Sequence, residues 1–159
     1  MDKNELLQAW KAHLVSGLER ARASQAEARQ GMRVDGDNRP ANRGERATVT
    51  SQGYLTQGLT QRMEALEEAL DLLERVGSDP RDQVVMGALV QAEHEDGHIL
   101  RFALLPGGDA TSFSIGGDQV LVLSPQAPLV QAFLGLRQGE GADVTLPARK
   151  GEWQVLGIA

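Results

Sequence analysis

The sequence predicts an α+β protein: an N-terminal antiparallel coiled-coil hairpin over residues 1–78, then a small antiparallel sheet with one short helix over residues 83–159. Three observations carry this. The first half holds two apolar ladders, Leu7, Trp10, Leu14, Gly17, Ala21 and Leu59, Met63, Leu66, Leu70, Leu73, stepping by alternating threes and fours as a coiled-coil seam does. Paired from opposite ends (7 with 73, 10 with 70, 14 with 66, 17 with 63, 21 with 59), the numbers always sum to 80, which places a hairpin apex near residue 40. From Gln83 onward the apolar period shortens to that of strands.

The first arm takes Asp2 or Asn4 as N-cap and runs from about Glu5 to Met32, roughly 40 Å at ~1.5 Å per residue. Its distal part, Ala21 to Gln30, favours helix but gives up large seam residues. Gly31 and the run Val34-Asp35-Gly36-Asp37-Asn38-Arg39-Pro40 break the period with turn formers. The second arm resumes around Thr48 to Ser51 and stops at Gly77-Ser78-Asp79-Pro80, with glycine as C-cap and proline as terminator.

Val84 to Val90 reads as the first strand, Glu95-Asp96-Gly97 as a hairpin turn and His98 to Leu105 as its return. Pro106 to Asp118, with two Gly-Gly-Asp segments, reads as a loop region, and Gln119 to Leu123 as a short strand. Pro128 to Leu134 is a short helix. Ala142 to Leu146 and Trp153 to Ile158 close the domain as strands around a Lys150-Gly151 turn.

Composition removes several functional classes. The chain has no cysteine, so disulfide frameworks, thiolate metal sites and thiol catalysis are excluded. Aromatic residues make up 4%, too few for a base-stacking platform. Net charge is −6, and residues 77–159 alone hold 5 Lys/Arg against 10 Asp/Glu. Such a chain does not grip a phosphate backbone by bulk charge. The start Met-Asp-Lys-Asn-Glu has neither basic n-region nor apolar h-region, and no apolar run approaches a membrane span. The expectation is a soluble, cytoplasmic monomer, because the chain supplies both seam partners itself.

Three motif-like signals are discounted. His94-Glu95-Asp96-Gly97-His98 spells the H-E-x-x-H zinc pattern, but that chemistry needs a helix where Asp-Gly marks a turn. Neither Gly-Gly-Asp segment sits in a strand-to-helix turn or precedes Gly-Lys-Ser/Thr, so neither is a phosphate loop. Trp10 and Trp153 read as packing residues. No metal is expected to bind stably.

The second half nevertheless resembles the C-terminal domain of the Gre transcription elongation factors. The likeness rests on Val85-Met86-Gly87-Ala88-Leu89-Val90, on Val120-Leu121-Val122-Leu123-Ser124-Pro125, and on Leu134-Gly135-Leu136-Arg137-Gln138-Gly139-Glu140. The order of hairpin and domain agrees. The resemblance implies an FKBP-like domain that docks on bacterial RNA polymerase through Ser124 and Pro125, with the coiled coil entering the secondary channel. The same Ser-Pro could instead simply start the short helix.

In that family, acids at the coil tip help hold the polymerase's second Mg²⁺ and a hydrolytic water, in a Gly-Asp-Leu-(Ser/Arg)-Glu-Asn motif. The matching run here is Gly36-Asp37-Asn38-Arg39-Pro40-Ala41. Asp37 is kept, and Pro40 takes the second acid's place. Asp35 or Glu45 could substitute, while Arg33, Arg39, Arg43 and Arg46 compete for the carboxylates. Asp35 and Asp37 also suit an ordinary turn. The resemblance thus implies a regulator that is not itself an enzyme, has no cofactor beyond the polymerase's Mg²⁺, and modulates polymerase with weak or no transcript cleavage. The alternatives are an active cleavage factor rescuing backtracked complexes and, lower, an FKBP-like prolyl isomerase or adaptor.

Overall fold

The structure is a computed structural model that describes residues 2–32, 43–146 and 149–159. Helices α1 (Lys3–Met32) and α2 (Arg43–Val76) precede strands β1 (Leu89–His94), β2 (Ile99–Leu104), β3 (Asp109–Ile115) and β4 (Asp118–Leu123). The short helix α3 (Pro128–Gln131) leads to β5 (Gly141–Leu146) and β6 (Arg149–Ile158). The chain divides into two compact units, His13–Glu68, and Met1–Ala12 together with Ala69–Ala159.

Asp2 caps α1: its Oδ1 accepts the N–H groups of Asn4 and Glu5 at 2.9 and 3.3 Å, satisfying donors that a helix start leaves open. Glu5 adds an acid to the first turn, where the helix dipole favours it. Helix α2 begins at Arg43, several residues before the expected Thr48. Its first turns carry no apolar period, so the sequence pattern had no way to mark them. Gly77, at φ +65°, ends it, the left-handed C-cap that glycine adopts without strain.

Within the His13–Glu68 unit the arms run antiparallel. The buried Gln25 amide donates to Thr60 Oγ1 at 2.7 Å, and Arg22 meets Glu67 at 2.9 Å. The Leu66 methyls lie 3.7 Å from where a Cβ on Gly17 would stand. These partners are displaced by three to nine residues from the expected register. At the start of α1 the ladder begins one residue earlier than expected, with Leu6 buried and Leu7 only half-buried. Trp10, Leu14, Gly17 and Ala21 are buried as the ladder expects, and Leu6, Leu18 and Gln25 extend the stripe.

The other unit is built on one six-stranded sheet in the order β3-β4-β2-β1-β6-β5. All neighbours are antiparallel except β2 and β4, which run parallel, Phe102 opposite Leu121 and Leu104 opposite Leu123. The β3–β4 hairpin folds back so that its second strand, not its first, joins β2.

One face carries Val90, Ala92, Phe102, Leu104, Leu123, Ala142, Val144, Trp153 and Val155, packed with Val130 and Phe133 from α3 and the turn after it. Residues of the opposite parity, Leu89, Ala103, Ile115, Val120 and Val122, are buried too. Trp10 of α1 belongs to this second layer, standing edge-on to Phe113 with ring centroids 6.0 Å apart.

Three local expectations are corrected. Val84 to Ala88 is not strand: Gly87 at φ +89° turns the chain, and β1 starts only at Leu89. Val84 stays fully buried by exchanging backbone hydrogen bonds with Gly135 and Leu136. The region read as loop contains β3, whose alternating Thr-Ser-Phe-Ser-Ile was hidden by flanking glycines. Lys150 and Gly151 lie inside β6, opposite Thr145 and Val144, not in a turn.

Candidate functional site

The loop from Ser124 to Ala127 leaves the end of β4 and delivers the chain to α3. It is closed by the Ala127 N–H donating to the Ser124 carbonyl at 3.1 Å. The Gln131 side-chain amide reaches back to the Pro125 carbonyl. Pro128 occupies the first turn of α3, where its missing N–H costs nothing. The helix N-cap is Ala127, without a side-chain cap bond. Ser124 therefore does not cap the helix, and the Ser-Pro step forms a separate turn upstream of it. Both Ser124 and Pro125 are half-buried, so each presents part of its side chain to solvent from a braced backbone.

Bracing also comes from the preceding connection. Gly108 N–H donates to the Leu105 carbonyl at 3.2 Å, and Gly107 sits at φ +70°. This makes Leu105-Pro106-Gly107-Gly108 a turn with proline and glycine at its two central places. A Cβ on Gly108 would stand 2.2 Å from the Leu123 carbonyl carbon and 2.5 Å from the Ser124 nitrogen. Only glycine permits that approach, and it sets where the Ser124 loop begins.

The other motif segments converge on the same unit. Val84 N–H donates to the Leu136 carbonyl at 2.8 Å, and Gly135 N–H to the Val84 carbonyl at 2.9 Å. Gly135 and Gly139 hold φ of +80° and +88°, so the glycines of Leu134 to Glu140 serve backbone turns. Arg137 N–H donates to Glu140 Oε2 at 2.7 Å. Leu134, the first residue of that segment, is an apolar side chain 39% exposed just beyond Gln131.

Asp35 and Asp37, with Arg33, Arg39 and Pro40, lie outside the described residues, as do the side chains of Arg43, Glu45 and Arg46. The zinc-like motif resolves as the β1–β2 hairpin. His94 ends β1, its Nδ1 2.8 Å from Asp96 Oδ1 and its ring 4.9 Å from that of Trp153. Among the described residues no group of His, Asp and Glu is arranged to hold a metal ion. A cleft of about 520 Å³ lies beside this hairpin, lined by Glu93, Glu95 and Glu152 with Gln154.

The C-terminal family of transcription elongation factors GreA/GreB matches residues 79–159, the stretch holding all three segments just described. The chain belongs to the GreA/GreB family. It is a transcription elongation regulator of the Gre type whose partner is RNA polymerase.

Three solved structures are similar to it over nearly their whole length. GreA factor homolog 1 (Gfh1) of Thermus thermophilus is 21% identical, covers 94% of each chain and has a TM-score of 0.38. Gfh1 of Thermus aquaticus is 20% identical, covers 92% of each chain and has a TM-score of 0.39. A further structure of the transcription factor Gfh1 is 19% identical, covers 93% of this chain and 92% of its own, and has a TM-score of 0.41. No curated protein sequence matches the chain. No helix among the described residues is long and apolar enough to cross a membrane.

Proposed function

We propose that this factor docks on RNA polymerase through Ser124 and Pro125, places its helical hairpin in the secondary channel, and modulates the enzyme with weak or no transcript cleavage. The tip run Gly36-Asp37-Asn38-Arg39-Pro40-Ala41 carries the reading. A weakly held Mg²⁺ keeps most of its waters and takes one or two carboxylates. Here one carboxylate of the family pair is proline, and in sequence Arg33 and Arg39 flank the one that stays.

The factor then works by occupying the channel, with consequences for initiation, pausing or nucleotide entry. It acts as a cytoplasmic monomer with no metal of its own, and any Mg²⁺ it touches belongs to the polymerase. Support for the docking half is the Ser124-Pro125 turn, closed by its own backbone hydrogen bond and tied by the Gln131 side chain to the helix it precedes.

A purified, backtracked elongation complex tests this. The expected result is dose-dependent inhibition or pausing with slow RNA shortening. Vigorous shortening of the RNA 3′ end that Asp37→Ala abolishes would overturn it. That outcome would establish the second reading, rescue of backtracked complexes, which Asp35 and Asp37 together favour.

A further inference from the structure

On the sheet unit, Leu72, Arg75 and Val76 of α2 face Arg81, Met86 and Pro106 across a groove of about 250 Å³. Its walls are almost wholly apolar, and Leu72 remains 41% exposed on its rim. A volume below the ~300–1,000 Å³ of small-molecule sites suits one or two side chains better than a cofactor.

The rim is cationic, although residues 77–159 carry twice as many acids as bases. Arg81 donates to the Val76 carbonyl at 2.8 Å, and its Nε is buried without a partner. Burial and then the Arg81 charge disfavour the Lys3 ammonium, with Asp79 opposing them. A buried N–H without an acceptor costs free energy, which an incoming carboxylate would relieve.

The groove is also continuous with the Ser124 loop. The Pro106–Gly108 turn walls the groove on one side and lies against Leu123 and Ser124 on the other.

We infer that this groove extends the polymerase-docking surface, taking an apolar side chain from an acidic segment of RNA polymerase whose carboxylates pair with Arg75 and Arg81. The inference rests on the docking reading above and adds a second contact to it.

Affinity of the full chain for purified core RNA polymerase, read by fluorescence anisotropy, tests it with three variants. Leu72→Glu should weaken binding about tenfold or more, as loss of an apolar anchor does. Arg75→Glu should weaken it less, with a shallower salt dependence. Both side chains are solvent-exposed, so unchanged melting separates docking from folding. If both bind as wild type while Pro125→Asp loses affinity, the groove is not used and the docking loop stands. If wild type fails to bind polymerase, the docking reading itself falls, and this inference with it. Should Leu72→Glu alter only self-association in sedimentation, the occupant is a second copy and the inference is wrong.

Discussion

The indole N–H of Trp10 donates to the Pro106 carbonyl at 2.9 Å, joining two buried residues 96 apart in sequence. It ties the start of α1 to the connection between β2 and β3, the connection that also braces the Ser124 loop. Trp10→Phe keeps most of the ring but leaves a buried carbonyl without its donor. We expect about 1–3 kcal/mol of destabilisation from that, and about 3–5 kcal/mol for Trp10→Ala, where a cavity is added. Urea denaturation followed by circular dichroism checks both. Equal losses would mean that packing alone matters here.

The buried Gln25 and the half-buried Thr60 make a polar pair at a seam position. Thr60→Val leaves the Gln25 amide without its acceptor and should cost about 1–2 kcal/mol. Adding Gln25→Leu should restore stability to near wild type or above, because two matched apolar groups need no hydrogen bond. A double-mutant cycle on thermal unfolding measures this. Additive losses would show that the pair does not interact in solution.

Glycines divide by what a side chain would meet. Gly108→Ala drives a methyl into the Leu123 backbone and should cost about 3 kcal/mol or more. Gly58, inside α2, has open space around it, so Gly58→Ala should stabilise that helix by about 0.5–1 kcal/mol. Melting curves of opposite displacement are the expected outcome.

Ala110 holds φ +67° at the irregularity between Asp109 and Ser112 in the β3–β4 ladder. A Cβ in that region costs about 1–2 kcal/mol, whereas glycine's extra chain entropy returns about 0.5–1 kcal/mol. Ala110→Gly should therefore stabilise by a fraction of a kcal/mol up to about 1 kcal/mol. A lower denaturation midpoint would show that the bulge does not hold this conformation in solution.

Lys3 is buried, its ammonium donating to the Asp79 carbonyl at 2.6 Å. Burial, then the Arg81 charge, push its pKa below the ordinary 10.5, with Asp79 opposing them. Between the lowered native value and 10.5 the unfolded chain binds more protons than the native one, so stability rises with pH across that alkaline window. Relative to Lys3→Met, the wild type should gain stability as pH is raised towards 10.5. Parallel stability–pH curves for the two proteins would refute the assignment.

Much of this was readable in the sequence, for definite reasons. The α2 seam from Leu59 to Leu73 repeats often enough to be unambiguous. Asp-Gly between two apolar runs marked the β1–β2 hairpin, and Gly77 with Pro80 marked a helix end. Only the first position of the α1 ladder was not readable, because Leu6 and Leu7 are chemically alike and packing chooses between them. β3 escaped because Thr111, Ser112 and Ser114 are polar on an edge strand and bounded by glycines. Ser124 and Pro125 were picked out by resemblance, but that Ser124 does not cap α3 depends on a backbone turn that no local pattern reports.

The sequence by itself determined the two long helices, most of the strands, the lack of thiol chemistry and the altered tip acids. These follow from residue identity and from periods spanning a few neighbours. Only the tertiary structure decided that the start of α1 and the end of α2 belong with the sheet, that β4 runs parallel to β2, and that an apolar groove with an arginine rim adjoins the Ser124 loop. Each depends on residues tens of positions apart meeting in space, as Trp10 meets Pro106 and Gly108 meets Leu123. Packing and backbone hydrogen bonding select such meetings, and local sequence does not encode them.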